Sequence, residues 1–364
     1  MNLLSTENEW FRNKGSDQDV VISSKIEIHR NLRDFLFPDK LNTEDLERVK
    51  SLVIDAFNKV SDNGKYDYVN VDQLDLQSRR ILASQGVFLH EDTGKNGLGV
   101  FFSGIPGIET VVNNVDHIRI TGDAAGLEFS TLYPRLKHIE SQLGKNLIFS
   151  SSPDIGFHTA FLKNSGTGIV CGLFVQLPGL YMSEMLDRVI RDFLSNGLSI
   201  VGNFKQGTTL TDGYIYQIKF NNPESFNDDQ AVISKINECA EKLINLERSS
   251  LNHIISNQPV FLKDRILKAY YVLSKSLFIN YEELLNHLAF ARVGIYSGWL
   301  KGIKYSDLTS LIFLTTTGQL KFELNLLGRE KLGLEKELVS EVNILDRLRG
   351  EKAKSVFQKC KILI

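Results

Sequence analysis

The chain has 364 residues, of which 42% are hydrophobic and 24% are charged, which is typical of a globular protein with one large domain and a smaller one. Its 42 Lys and Arg residues are nearly balanced by 44 Asp and Glu residues. Because there is no excess of positive charge, the composition argues against nucleic-acid binding and against binding to a membrane surface.

Cysteine usage and the polar start of the chain indicate the compartment. Cys171, Cys239 and Cys360 show no CxxC spacing, which argues against a disulfide framework and against a zinc site. Residues 1–19, MNLLSTENEWFRNKGSDQD, contain no apolar signal-peptide core, and no run of about 18 apolar residues occurs anywhere. The sequence therefore predicts a cytoplasmic protein.

The first regular elements are a strand and two helices. Residues 19–31, DVVISSKIEIHRN, alternate so that Ile26 and Ile28 share one face and Lys25 and Glu27 share a polar face that could line a site. A helix should follow, capped by Asn42 or Thr43, with an apolar stripe at helical spacing through residues 46–60. A second helix is predicted over residues 77–84.

Three strand signals then follow in quick succession, at residues 98–103, 108–113 and 117–121. Because short connections join antiparallel neighbours, these strands predict a mostly antiparallel sheet. Residues 126–143 predict a helix that Pro134 should cap or kink.

The stretch 155–180, IGFHTAFLKNSGTGIVCGLFVQLPGL, is interpreted as a hairpin, because its glycines supply a tight turn before an apolar run rich in β-formers. After it we expect an amphipathic helix over 181–195 and strands at 198–203 and 214–220, the last with Tyr214, Tyr216, Ile218 and Phe220 on one face.

From residue 228 onward the apolar spacing is helical. It predicts helices over residues 229–256, 262–276, 281–297 and 334–357. The turn-rich segment NPESFND separates the two halves. The fold class is therefore α/β, in the broad sense that includes α+β, with a mostly antiparallel sheet flanked by helices over residues 1–225. An all-helical domain follows over residues 226–364.

Four segments in this order resemble the ATP:guanidino phosphotransferases, and most closely the bacterial protein arginine kinases. They are WFRNKGSDQDVVISSKIEIHRN, VVNNVDHIRI, the stretch 155–180 and NGLSIVGNFKQGTTLTDGYIYQIKFNN. The family forms are SSRIRLARN, NEEDHIRI, CPTNVGTGLRA and VRGxYGEG. The later INLERSS and ARVGIYSGWLKG are similar to helical segments that follow the phosphotransferase domain in the arginine kinases.

The resemblance implies phosphoryl transfer from Mg·ATP to a guanidinium nitrogen, a reaction in which arginines surround the phosphates. Aligned residue by residue, the family arginines fall on Lys25, Glu27, Arg119, Val170 and Val201. Only Arg119 is kept, while Lys25 loses the planar fork and Glu27 reverses the charge. Lys25, Arg30 and Arg119 remain as candidate phosphate ligands, although Arg30 could equally be a structural ion pair.

The substrate side of the implied site is altered as well. The two glutamates of NEEDH are replaced by Asn114 and Val115, and the family cysteine is replaced by Phe161. A lost general base costs about 10²- to 10⁴-fold in rate, and a lost oriented donor about 10²- to 10³-fold. We therefore assign no catalytic residue and no protein-bound metal site. A lone His117 beside Asp116 is more simply a structural residue.

The RDxxRA motif of the arginine kinases binds phosphoarginine, and its counterpart here is VNILDR, residues 342–347. The resemblance and its departures together predict a non-catalytic relative, a pseudokinase that binds a protein partner, with a homodimer among the candidate assemblies. The alternative is an active phosphotransferase with a rearranged site, in which Lys163 and Lys205 supply charge from new positions beside Lys25, Arg30 and Arg119. The resemblance implies Mg·ATP as the candidate ligand.

Overall fold

The computed structural model describes residues 9–60, 66–84, 86–88, 90–202, 211–220 and 228–364. Its strands are β1 Val21–Arg30, β2 Tyr66–Asn70, β3 Gly99–Ser103, β4 Ile108–Val112, β5 Ile118–Ala125, β6 Ser151–Ser152, β7 Gly156–Phe157, β8 Ile169–Gln176, β9 Leu198–Val201, β10 Ile215–Phe220, β11 Leu300–Lys301 and β12 Lys361–Ile362.

Within these ranges, eight strands form one sheet in the order β2-β3-β4-β5-β1-β8-β10-β9, with β1 near its centre. The neighbouring strands of this sheet all pair antiparallel. The prediction of a mostly antiparallel sheet is therefore confirmed, including the consecutive pairing of β3, β4 and β5.

The helices are α1 Thr43–Asn58, α2 Leu76–Ser84, α3 Phe129–Gly144, α4 Pro178–Met182, α5 Leu186–Ser195, α6 Asp229–Asn257, α7 Pro259–Lys275, α8 Tyr281–Tyr296, α9 Tyr305–Leu314, α10 Thr317–Lys331 and α11 Glu341–Phe357. The Asn42 side chain caps α1 as predicted, since its Oδ1 accepts from the backbone N–H of Asp45 at 2.8 Å. None of the helices in the described part of the chain has the length and hydropathy that crossing a membrane requires.

The two faces of the sheet differ because side chains alternate along each strand. Ile26 and Ile28 are fully buried on the face that packs against α3, whose Leu136 lies against Gly122 of β5. Burying a residue of this size contributes about 2 kcal/mol, so this face holds the sheet to its helices. The opposite face carries the charged residues.

The predicted hairpin in the stretch 155–180 was wrong. β8 pairs with β1 on one side and with β10 on the other. The segment before the turn pairs with β6 through β7, and it meets the turn only in a bridge between Phe157 and Gly166. The glycine turn itself is present, with φ of +103° at Gly166 and +65° at Gly168. Turn glycines show that the chain reverses, but they do not say which strand becomes the neighbour.

Several helix boundaries also differ from the prediction. The helix expected over 181–195 is divided into α4 and α5 at a turn where Glu184 has a φ of +58°. α3 begins at Phe129, so Pro134 lies inside the helix and does not cap it. The helix expected from 334 begins at Glu341, and α9 and α10 precede it although the periodicity did not predict them.

The helices after residue 228 share a hydrophobic core with the sheet. Val232 and Ile236 of α6 belong to the same buried cluster as Leu173 of β8. Tyr216 and Ile218 of β10 are buried in that cluster too, as the alternation predicted. The division into residues 1–225 and 226–364 stays a prediction.

Candidate functional site

Strand register collects the charged side chains on one face of the sheet. In the β1–β5 pair, Lys25 lies opposite Asp123, Glu27 opposite Thr121 and His29 opposite Arg119, and Glu109 of β4 also lies opposite Thr121. Side chains directly opposite in antiparallel strands share a face. We call the following set the polar face: Lys25, Glu27, His29, Glu109, Arg119, Thr121 and Asp123.

Lys25 is paired with two carboxylates of the polar face. Its Nζ lies 3.4 Å from Oδ2 of Asp123 and 4.0 Å from Oε1 of Glu27. Burial disfavours the charge on Lys25, but Asp123 and Glu27 outweigh burial and raise the pKa of the amine. Lys25 is therefore a charged side chain whose charge is already matched within the protein.

Glu27 and Asp116 hold His29 between them. Nδ1 of His29 lies 2.9 Å from Oδ2 of Asp116, and its Nε2 lies 3.7 Å from Oε2 of Glu27. Burial would lower the pKa of His29, but these two carboxylates outweigh burial and raise it. Burial likewise works against the ionised Glu27, yet His29, Arg119 and Lys25 lower its pKa well below the usual range. Glu27 is thus an anion where the resemblance assigns an arginine.

Glu109 and Asp123 form the acidic edge of the polar face. Burial, followed by the charge of Asp123, raises the pKa of Glu109 to about 8. Burial also raises the pKa of Asp123, against the opposing charge of Lys25. At neutral pH Glu109 is therefore largely protonated, and this carboxyl group stays uncharged beside the Asp123–Lys25 pair.

Arg119 is the one family arginine kept in the sequence, and one of its nitrogens is bound to the backbone. Its Nη2 donates to the carbonyl oxygen of Val87. Its buried Nε has no hydrogen-bond partner within the described ranges. One donor of the planar fork therefore remains unused.

Arg30 is fully buried beneath the 166–168 turn. Its Nε donates to Oε1 of Glu140 at 2.7 Å, and its Nη1 donates to the carbonyl oxygens of His29 and Thr167 at 2.7 and 2.9 Å. The Phe157 ring lies 3.5 Å from the guanidinium carbon. Burial lowers the pKa of Arg30, although Glu140 opposes that effect. These contacts favour a structural ion pair, and a role in binding phosphate stays a prediction.

The substrate-side replacements lie on the loops beyond the ends of β4 and β7. Asn114 is buried and donates from Nδ2 to Oδ2 of Asp92 at 2.9 Å, whereas Val115 is half-buried. Phe161 is 53% exposed, and Nζ of Lys163 lies 5.8 Å from its ring centre. None of these side chains offers a carboxylate or a thiol.

The two valines at family arginine positions lie on strands of the same sheet. Val170 of β8 is buried opposite Glu27 of β1, so its side chain lies on the polar-face side. Val201 ends β9 opposite Gln217 of β10. Lys205, expected to supply charge in a rearranged site, lies outside the described residues.

Asp116 organises the loops at the end of the polar face. Besides His29, its carboxylate accepts from Nδ2 of Asn31 at 2.6 Å and from the backbone N–H of Ala160 at 2.7 Å. His117 is buried, and its Nδ1 accepts from the backbone N–H of Leu32 at 3.1 Å. Burial lowers the pKa of His117 to about 4, so its ring is neutral. Both residues therefore have structural contacts, as their sequence context suggested.

Glu109 and Asp123 belong to the polar face, although local sequence patterns did not predict them as site residues. Glu109 lies within a predicted strand, and its alternation with Ile108 could have marked it as facing away from the core. Asp123 follows the predicted end of its strand, because β5 continues to Ala125. Their proximity to Lys25 depends on strand register, which local patterns do not encode.

The C-terminal counterpart of RDxxRA allows a second register. In VNILDR, Arg347 pairs with Glu335 at 2.8 Å and with Glu351. If the motif is instead set on residues 345–350, LDRLRG, its aspartate and second arginine fall on Asp346 and Arg349, which are ion-paired in the structure. This second register keeps more of the motif, but the first arginine is still absent.

No cluster of His, Cys, Asp or Glu that could hold a metal ion occurs among the residues that the structure describes.

The polar face fits a triphosphate poorly. Lys25 is matched by carboxylates, and Glu27 would repel a phosphate. Arg30, on the other face of β1, is bound by Glu140 and by backbone carbonyl oxygens.

Comparisons with known proteins agree with the arrangement of the sheet. Residues 48–250 match the family model described as ATP:guanido phosphotransferase, C-terminal catalytic domain. A protein-arginine kinase of Bacillus cereus (strain AH187) is 28% identical over 346 residues, covering 94% of this chain and 96% of the relative. The protein-arginine kinase of Bacillus anthracis (strain CDC 684 / NRRL 3495) is 27% identical over the same length.

Solved structures show the same fold at lower identity. The duplicated taurocyamine kinase from Schistosoma mansoni with bound transition-state analogue components has a TM-score of 0.58 and 18% identity over 73% of this chain. That match covers 40% of the taurocyamine kinase chain. Lombricine kinase has a TM-score of 0.53 and 18% identity, with 64% of this chain and 67% of its own chain covered.

Proposed function

Because the chain belongs to the ATP:guanido phosphotransferase family, we propose that it is a non-catalytic member that acts by binding a protein partner. The observation that carries this proposal is the internal charge matching of the polar face. Phosphoryl transfer needs positive donors that are free to follow the charge of the transferring group. Here Lys25 is matched by Asp123, and Glu27 occupies a family arginine position.

The missing proton acceptor supports the same proposal. A guanidinium must lose a proton as its nitrogen attacks phosphorus, and the family pattern supplies a carboxylate for that purpose. At this place the chain has Asn114, whose amide is bound to Asp92, and Val115, which cannot accept a proton. The loss of a general base alone costs about 10²- to 10⁴-fold in rate.

An active phosphotransferase with a rearranged site is the second candidate. Two observations favour it: the unused Nε of Arg119 and the retained charge of Lys25. Lys163, which is exposed beside Phe161, could add a further charge. The family reaction uses ATP, so this candidate requires the polar face to release Lys25 from Asp123 when nucleotide binds.

Calorimetric titration of the purified protein with Mg·ATP separates the two candidates. The non-catalytic proposal expects no heat of binding up to millimolar nucleotide, with the Bacillus cereus protein-arginine kinase as a positive control under the same conditions. Micromolar binding would favour the second candidate. An assay for acid-labile phosphoarginine on an arginine-rich protein would then decide the matter, because activity above a boiled control would overturn the non-catalytic proposal.

The partner and the compartment are proposals of the same kind. The curated relatives are named as kinases of protein arginine, so a protein is the class of partner that we propose, with self-association as a homodimer included. The cysteines Cys171, Cys239 and Cys360 are free and buried, which suits the reducing cytosol that we propose as its location. Light scattering of the purified chain tests self-association directly.

A further inference from the structure

Residues 9–20, which we call the strap, run between the late helices and the sheet and lead directly into β1. At its start, the Trp10 and Phe11 rings pack on Phe313 of α9, with centroid distances of 5.0 and 5.3 Å. On its other side, Trp10 lies against Gly107, where an added Cβ would come within 3.0 Å of the Trp10 Cβ. Trp10 therefore fills the space between α9 and the β3–β4 connection.

Arg248 of α6 clamps the strap at two aspartates. Its Nε and Nη2 donate to the two carboxylate oxygens of Asp19 at 2.7 and 2.6 Å, and Nη2 also donates to Oδ1 of Asp17 at 2.7 Å. Asp17 has a φ of +53°, a conformation that costs free energy for a residue with a side chain. The bidentate pair of Arg248 supports this strained turn.

Arg292 of α8 makes the second clamp, and it is buried. Its Nη1 donates to the carbonyl oxygen of Gln18, and its Nε donates to Oε1 of Gln176 at 2.8 Å. The backbone N–H of Gln176, the last residue of β8, donates in turn to the carbonyl oxygen of Val20 at 2.9 Å. A single buried guanidinium thus joins α8, the strap and β8. Because Arg292 is buried, water could not take the place of these acceptors if the strap moved away.

The sheet side of the strap is fixed at Ser16. The backbone N–H and the hydroxyl of Ser16 donate to Oε1 of Glu128 at 3.1 and 2.9 Å. The backbone N–H of Leu127 donates to the carbonyl oxygen of Ser16 at 2.9 Å. Leu127 and Glu128 follow β5 after a single residue, Gly126. The strap is therefore hydrogen-bonded on one side to the helices and on the other to the strands that flank β1.

We propose that the strap transmits changes in α6, α8 and α9 to β1 and so to Lys25, Glu27 and His29 of the polar face. The segments INLERSS and ARVGIYSGWLKG, which supply Arg248 and Arg292, thereby acquire a role that the phosphotransferase resemblance did not explain. A partner that binds these helices would alter the polar face through the strap. The linkage operates whether or not the polar face binds nucleotide.

Hydrogen exchange measured by mass spectrometry on the full chain tests the strap. In Arg248→Gln the bidentate pair is lost, and we expect amide exchange in β1 to become about tenfold faster because the start of the strand opens more often. Asp19→Asn weakens the same pair from the strap side and provides a second variant should Arg248→Gln fold poorly. The matched control is Lys242→Gln, also on α6, whose partner Asp192 lies outside the strap.

The proposal is supported if β1 exchanges faster in Arg248→Gln and Asp19→Asn while α11 keeps its wild-type rate and Lys242→Gln changes neither. Faster exchange confined to the strap and α6, with β1 unchanged, would overturn it. Equal acceleration in β1 and α11 would also overturn it, because it would mean a general loss of stability instead of transmission along the strap.

Discussion

Glu140 holds the guanidinium of Arg30 at two nitrogens, with its Oε1 2.7 Å from Nε and 2.6 Å from Nη2. The third nitrogen, Nη1, donates to two backbone carbonyl oxygens, whereas Nη2 contacts Glu140 as an ion pair and donates no hydrogen bond within the described residues. A phosphate could reach this side chain only by displacing those oxygens. The ion pair therefore holds α3 and the 166–168 turn against β1.

Arg30→Lys tests this assignment. Lysine keeps the charge but cannot match the planar fork, so buried acceptors lose their donors, and we expect a loss of about 3 kcal/mol in the free energy of unfolding. Arg33→Lys, on the exposed loop that follows, should change stability by less than about 0.5 kcal/mol. Urea unfolding measures both. Unchanged stability in Arg30→Lys together with altered Mg·ATP binding would contradict the structural role.

Glu27→Gln tests the charge matching of the polar face. Removing this anion leaves Lys25, His29 and Arg119 with fewer carboxylates, so we expect a destabilisation of about 2 kcal/mol at pH 7, discounted for the partial exposure of Glu27. Glu241→Gln, on the exposed side of α6, is the control and should be nearly neutral. A Glu27→Gln protein as stable as wild type would mean that the polar face is not held together by its charges.

Glu109 predicts how stability varies with pH. Its pKa is raised from 4.5 to about 8 in the folded protein, so between these values the unfolded chain has lost the proton that the folded chain keeps. Stability should therefore fall as pH rises through this window, by up to about 1.4 kcal/mol per pH unit.

Glu109→Gln removes the titrating group. Between pH 5 and pH 7.5, which lies within this window, the free energy of unfolding of the variant should therefore decline less than that of the wild type. His29 also has a raised pKa and adds its own loss above its ordinary value, so the comparison is between the slopes of the variant and the wild type. Urea midpoints at the two pH values supply those slopes. Parallel slopes would show that Glu109 is ionised in the folded protein across this range.

Gly168→Ala separates backbone strain from steric conflict at the turn above Arg30. Gly168 has a φ of +65°, and an added Cβ would lie 2.4 Å from Nη1 of Arg30 and 2.7 Å from the His29 carbonyl oxygen. We expect a destabilisation of about 3 kcal/mol. Gly333→Ala is the matched control, since Gly333 has a φ of +63° but no atom near its Cβ position, and it should cost about 1 kcal/mol. Equal losses in thermal unfolding would rule out the conflict with Arg30.

The sequence correctly predicted features that depend only on neighbouring residues, such as a helix cap and the buried face of a strand. Asn42 caps α1 because an amide oxygen on the residue just before a helix can reach a free N–H group of the first turn, here that of Asp45. The alternation from Tyr214 to Phe220 gives a strand with one buried face. The pairing of β8 with β1 depends on the whole chain, so the hairpin interpretation of residues 155–180 was wrong.

The contacts that define the site were beyond local patterns for the same reason. Arg292 reaches the Gln18 carbonyl oxygen across 274 residues of sequence. The raised pKa of Glu109 depends on its burial beside Asp123. The sequence around either residue does not predict that the two lie together. Substitution at the aligned positions and the shared face of Lys25 and Glu27 could be predicted, but the proximity of Asp123 to Lys25 could be found only from strand register.

The alternation of side chains along β1 has a consequence for how such chains are classified. Ile26 and Ile28 face the core, while Lys25 and Glu27, which alternate with them, face the other side, so the two sets can change independently. A chain can therefore keep every residue that makes it recognisable as a relative and lose those that perform the reaction. Inheritance of the fold is therefore no measure of inheritance of the activity.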